Sequence, residues 1–262
     1  MMDIEKLHAY GKEIQNRLAL RSMPIAIKML KNSEDIPEGA QRPLKDLGHH
    51  LSQCQAFALS RRDGMSIAVF KEDGWCPEPI IGFGFAEPPD YFFKGHSKYP
   101  YKLKSLEAGS NWAHALPRLK FGEFKGIVSA PLCQTNFEPD LVMLYGNSVQ
   151  FTQLLQSARF TTGLPFNNTM SASAACVYAT VLPFQSGEYQ VTFPCAGDRT
   201  KAMAQDDEIV FTVPIKKLEA LMEGVRFLDD NDHAFPIKFV IREEYEMTDS
   251  YVELARLMGM KV

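Results

Sequence analysis

Apolar residues Ile4, Leu7, Tyr10, Ile14 and Leu18 recur at helical spacing, which predicts an amphipathic helix over 3–20 that stops ahead of Pro24. The run Pro24-Ile-Ala-Ile-Lys-Met-Leu then reads as a strand, and the polar stretch 32–48, with its prolines and glycines, as a connection. Leu51, Cys54, Phe57 and Ala58 share one face of a short helix over 51–61. Arg62-Asp63-Gly64 turns the chain into an apolar strand over 65–70, and Cys76 lies just beyond it. Glycine, proline and aromatic residues dominate 74–101, so this segment is expected to be an ordered loop that serves as a lid or pocket wall.

The second half follows a similar order. A buried strand over 141–145 precedes a helix over 148–160 that Gly163 closes. An alanine-rich helix over 171–182 carries Cys176, Gly187 turns the chain, and a strand over 189–193 runs into Pro194-Cys195-Ala196-Gly197-Asp198-Arg199. A strand over 209–213 and a helix over 214–223 come next, and the tail offers a strand at 237–241 and a helix near 250–258.

Strands alternating with helices predict an α/β or α+β protein with a mixed sheet. The two halves, about 20–100 and 135–225, each place one cysteine in an alanine-containing helix (Cys54-Gln55-Ala56-Phe57-Ala58 and Cys176-Val177-Tyr178-Ala179) and a second after the next strand (Cys76, Cys195). The two cysteines are 22 residues apart in the first half and 19 in the second. Such an echo fits either two ordinary helix–turn–strand units alike by chance or a duplicated unit, and duplicated units often pack about a pseudo-two-fold axis that brings equivalent positions together. Residues 1–262 are therefore expected to form a single domain of two pseudo-symmetric halves with a C-terminal extension.

Hydrophobic residues make up 45% of the 262, enough for a substantial core without disulfide staples. The 28 Lys and Arg against 32 Asp and Glu give a net charge of -4, and no basic run marks a nucleic-acid footprint. No apolar stretch approaches the roughly 20 residues of a membrane span, and the start is acidic where a secretory signal is basic. The expected compartment is the cytoplasm, with neither nucleic acid nor membrane as partner. Asn167-Asn168-Thr169 matches a glycosylation acceptor but has no meaning there.

The five cysteines are odd in number and widely spaced, which makes them thiols or ligands in a reducing compartment. Thiolates at Cys54, Cys76, Cys176 and Cys195 suit a thiophilic metal, either zinc in a tetrahedral site or a [4Fe-4S] cluster. No Cys-x-x-Cys pair is present, and Cys54 and Cys176 also suit small core residues on buried helix faces. Cys76 in Gly74-Trp75-Cys76-Pro77 and Cys195 in Pro194-Cys195-Ala196-Gly197 lie in turns whose amides can point at sulfur, an arrangement that serves a redox cluster more than zinc. Cys133 has no counterpart in the other half and reads as structural.

Arg199 is a candidate clamp for an anionic substrate group, with an Asp198–Arg199 pair closing the turn as the alternative. Gly82-x-Gly84 lacks the remaining features of a phosphate loop. His49, His50 and His96 are candidate proton donors, and Asp229-Asp230-Asn231-Asp232-His233 reads as a solvated acidic turn.

Pro24-Ile-Ala-Ile-Lys28, Cys54-Gln-Ala, Cys76, Ala130-Pro131-Leu132 and Cys195-Ala-Gly-Asp-Arg199 together resemble the domain of unknown function 169 family of bacteria and archaea, over nearly the whole chain. The resemblance implies a shared fold and a cysteine set of Cys54, Cys76, Cys176 and Cys195 without Cys133; it implies no reaction. The leading expectation is a [4Fe-4S] protein that transfers electrons or serves a partner enzyme. One rival is a metal-free module that binds a small organic ligand against Phe83, Phe85, Tyr91, Phe92 and Phe93, with Arg199 fixing an anionic group. Another is a thiol enzyme using Cys76 or Cys195. The sequence names neither partner protein nor ligand, and it leaves a homo-oligomer open.

Overall fold

The computed structural model describes residues 3–231 and 246–261. Helix α1 (Ile4–Arg17) begins where the Asp3 side chain accepts from the Glu5 amide. Strand β1 (Ile25–Leu30) follows, and then α2 (Gln53–Asp63), β2 (Ile67–Phe70), the short helices α3 (Pro77–Gly82) and α4 (Asp90–Phe93), α5 (Leu106–Ala115) and β3 (Gly126–Pro131). The second half comprises β4 (Leu141–Gly146), α6 (Ser148–Ala158), α7 (Ala175–Ser186), β5 (Gln190–Thr192), α8 (Ala196–Lys201), β6 (Ile209–Pro214) and α9 (Ile215–Asp230). Helix α10 (Asp249–Leu257) comes last.

The strands form one sheet in the order β2-β3-β1-β4-β6-β5, antiparallel at every pairing. Exchanging the halves maps β1 onto β4, β2 onto β5 and β3 onto β6, and leaves that order unchanged. The strand order thus reads the same from either edge about the β1–β4 seam, with β3 lying beyond the first half expected from the sequence. The seam pairs Ile25 with Met143, Ala26 with Val142 and Ile27 with Leu141.

Strand alternation divides the core into two layers. Ile25, Ile27 and Met29 point to one face with Ile127, Met143, Phe57 and Val177, whereas Ala26 and Leu30 point to the other with Val128, Leu144, Leu7, Leu154 and Leu221. Helices α2 and α7, which bear Cys54 and Cys176, thus cover the same face, and α1, α6 and α9 cover the opposite one. Both cysteine helices end the same way, on a glycine in the left-handed region (Gly64 at φ 76°, Gly187 at φ 67°), which releases the chain into β2 and β5.

The segment 74–101 is not the uninterrupted loop its composition predicts. Pro77 starts α3 at its first position, where a missing N–H costs nothing, and Asp90 opens α4. Phe83, Phe85 and Phe92 are buried in the core beneath α7 and α5, so these rings pack the fold and do not wall a cavity. Strand β3 and helix α5 carry no strong signal in the sequence. The alanine-rich helix lies four residues later than expected at both ends, and the expected strand at 237–241 falls outside the described residues. No described helix is long and apolar enough to cross a membrane.

Candidate functional site

Four helix starts meet at one place. Cys54 and Cys176 occupy the second positions of α2 and α7, and Cys76 and Cys195 are the residues that cap the N-terminal ends of α3 and α8. Unpaired amides and the positive ends of helix dipoles favour negative charge at such positions. All four cysteines line a single cavity of about 270 Å³, together with Gln53, Trp75, Glu78, Ser173, Lys102 and Lys201. Cys133 lies elsewhere, in the turn Leu132–Gln134 whose backbone packs against Gly11 of α1.

Local bonding fixes each arm of the site. Ser52 caps α2, accepting from the Gln55 amide at 3.3 Å, and its Oγ stands 3.0 Å from Cys54 Sγ. The loop before Cys76 is tied to the start of α2: the Leu51 amide donates to the Asp73 carbonyl (3.1 Å) and the Trp75 amide to the Leu51 carbonyl (3.2 Å). Trp75 Nε1 adds a bond to Gln55 Oε1 at 3.0 Å. Asp73 is itself buried and held by Arg42 at 2.7 Å. The Glu78 amide donates to the Cys76 sulfur, and the Glu78 carboxylate pairs with the buried Lys98, whose ammonium also reaches Ser173 Oγ (3.0 Å) and lies 4.0 Å above the Trp112 ring.

On the other side, Asp198 accepts from the Cys195 amide at 3.4 Å and from its thiol at 3.7 Å, and the Tyr145 hydroxyl donates to the same carboxylate at 3.4 Å. Arg61, two turns along α2 from Cys54, stacks 4.0 Å from the Tyr145 ring and pairs with buried Glu208 at 3.3 Å. The expected Asp198–Arg199 pair does not form. Arg199 points away from the cavity to the Gln205 carbonyl (2.5 Å) and toward Asp206 (3.9 Å), and it is not among the residues lining the cavity. His49 bonds the Leu47 carbonyl and His96 stacks on Tyr91; neither they nor His50 line the cavity.

Burial, and after it the Asp198 charge, pushes the Cys54 thiol up to about 12. Burial and then Glu78 push Cys76 up to about 11, and burial raises Cys176 well above the ordinary thiol value. An activated nucleophile needs the opposite shift, so Cys76 is poorly suited to the thiol-enzyme role. Thiols of this kind lose their protons when a metal takes their place.

The residues fit a metal-sulfur group on two counts: the donor set is four thiols in one cavity, and Gly197 leaves open beside Cys195 and Cys54 a space that a side-chain carbon would fill in van der Waals contact with both sulfurs, at 3.6 and 3.8 Å. Among the described residues no three His, Cys, Asp or Glu side chains are gathered as the donors of a single ion. One tetrahedral zinc draws its sulfurs to within roughly 4 Å of one another, whereas a cubane cluster gives each thiolate its own iron and spreads the sulfurs wider.

Sequence reasoning missed Gln53, Gly197 and Lys98. Only Gly197 carried a signal, since it stands two residues after Cys195 in both the turn and the family motif.

These features define a protein of helices on an antiparallel sheet, with a four-cysteine cavity at the starts of α2, α3, α7 and α8. The model of the DUF169 family, described as uncharacterised ArCR, matches residues 13–224, and the chain belongs to that family. It is also similar to an uncharacterised protein of Methanocaldococcus jannaschii, 25% identical over 229 residues that cover 86% of this chain and 95% of the relative. No solved structure matches the chain.

Proposed function

We propose that the chain is an iron–sulfur protein that holds a [4Fe-4S] cluster on Cys54, Cys76, Cys176 and Cys195 and works in electron transfer or as the redox partner of an enzyme. The observation that carries this reading is that four cysteines remote in sequence line one cavity, each at a helix start. A bound cluster supplies one-electron transfer at a potential set by charge and by hydrogen bonds to sulfur. The residues around it bear on both: the Glu78 amide bonds the Cys76 sulfur, Ser52 stands beside Cys54, and the Lys98 ammonium offsets the Glu78 carboxylate. With all four sulfurs on iron no ligand position is left for a substrate, which favours electron transfer over chemistry at the metal. Free thiols favour a reducing compartment such as the cytoplasm.

Anaerobically purified protein should be brown and carry about four irons per chain, and changing Cys54, Cys76, Cys176 or Cys195 to serine should abolish that iron while Cys133→Ser leaves it in place. Colourless, iron-free protein overturns the reading, and zinc without colour replaces it with a zinc site.

A further inference from the structure

Gln53 opens α2, one residue before Cys54, and lines the cysteine cavity while only 3% exposed. Its carboxamide offers two N–H donors and one acceptor, yet it makes no hydrogen bond with any described residue. Its neighbours are engaged, Ser52 and Gln55 bonding each other and Gln55 also receiving Trp75. The little surface the residue keeps includes this amide, which is not sealed from solvent, and the residue opens onto the cavity, so the amide is free to bond what the cavity holds.

The other groups around the cavity narrow what that partner is. Lys102 and Lys201 carry donors only and cannot accept from an amide. The Glu78 carboxylate and the Ser173 hydroxyl already accept from Lys98, and Thr200 Oγ1 donates to the Ala196 carbonyl. The sulfurs of the four cysteines line the same cavity, and Cys54 follows Gln53 directly in α2.

We infer that Gln53 is a positioning residue whose side-chain N–H donates to sulfur of the group held by the four cysteines. The inference rests on the iron–sulfur reading. Such a bond draws electron density from the cluster and favours its reduced form, so it raises the midpoint potential. It also explains why a residue that contributes no bond to the thiol form is kept buried beside a ligand.

The test compares wild type with Gln53→Met, which keeps the shape and removes the donors, and Gln53→Glu, which replaces the amide by a carboxylate. Midpoint potentials are measured on anaerobically loaded protein by mediated titration, and thermal midpoints on the iron-free forms. The expected result is a potential lower in Q53M than in wild type and lower again in Q53E, while iron-free Q53M melts no lower than wild type. An unshifted potential in brown Q53M overturns this inference alone, and a loss of stability in iron-free Q53M equal to that in the loaded form reduces Gln53 to a structural role. Wild type that takes up no iron removes the cluster reading, and this inference with it.

Discussion

Gly82 approaches Val177 so closely that a side-chain carbon on the glycine would lie 2.6 Å from Val177 Cγ1 and 2.8 Å from Cγ2. This contact sets the distance between α3 and α7, and hence between the Cys76 and Cys176 arms of the cavity. Valine is β-branched and has little freedom to turn aside. Gly82→Ala should therefore cost about 1–3 kcal/mol, as overpacking does, and G82A/V177A should recover much of it. Urea denaturation of both variants measures this; an unchanged midpoint for G82A would show that the helices part freely.

Gly197→Ala separates the cavity from the fold. The added carbon meets only the sulfurs of Cys195 and Cys54, at 3.6 and 3.8 Å, and the residue is helical. Without metal the variant should match wild type or gain up to about 1 kcal/mol from helix propensity. Iron content after identical loading should drop, because the carbon takes up space between two ligands. Full iron occupancy in G197A would place the cluster away from this wall.

Arg61 is the largest fully buried side chain among the described residues, with Glu208, Ser22, the Ala202 carbonyl and the Tyr145 ring around its guanidinium. Arg61→Met leaves the Glu208 carboxylate buried without its partner and should cost about 3–5 kcal/mol. The double variant R61M/E208Q should be less destabilised than R61M, since no charge is then stranded. Equal losses in the two would show that packing, and not the charge, sets the cost.

The pH dependence of stability should have a contribution from Glu13, whose carboxyl is held below its ordinary value of 4.5 chiefly by hydrogen bonds from Arg226, with Arg17 adding to them. The folded pKa lies below the unfolded one, so the stabilisation is complete above the unfolded value and fades as pH falls through the folded one. The pairs are partly solvated, so their worth is under about 1 kcal/mol. Stability curves of Glu13→Gln and wild type should differ at pH 7 and converge in acid; a constant offset down to low pH would assign the effect to packing between α1 and α9.

Much of this architecture could be read from residue patterns because local rules and tertiary demands agree. Leu7, Tyr10, Ile14 and Leu18 mark α1 by periodicity, and Gly64 and Gly187 mark the ends of both cysteine helices. The cysteine set was visible for the same reason, since each member sits at an element boundary that the sequence punctuates. Strand β3 was not, because Gly126-Ile-Val-Ser-Ala-Pro131 is short, holds only two large apolar residues between a glycine and a proline, and owes its place to pairing with β2 and β1 on either side. Helix α3 hides in a proline- and glycine-rich stretch whose composition resembles a loop. Gln53 and Lys98 could not be found from sequence at all, because an ordinary glutamine and lysine acquire meaning only from the burial the fold gives them.

The β1–β4 seam joins the halves through three residue pairs, whereas β1 with β3 and β4 with β6 share six each. Cys54 and Cys76 belong to one side of that seam and Cys176 and Cys195 to the other. Anything bound at all four sulfurs is thus a clasp across a short join at the centre of the sheet. Amide hydrogen exchange at Ile25 and Ile27 should slow on loading more than exchange within β3, which makes the seam itself a reporter of occupancy.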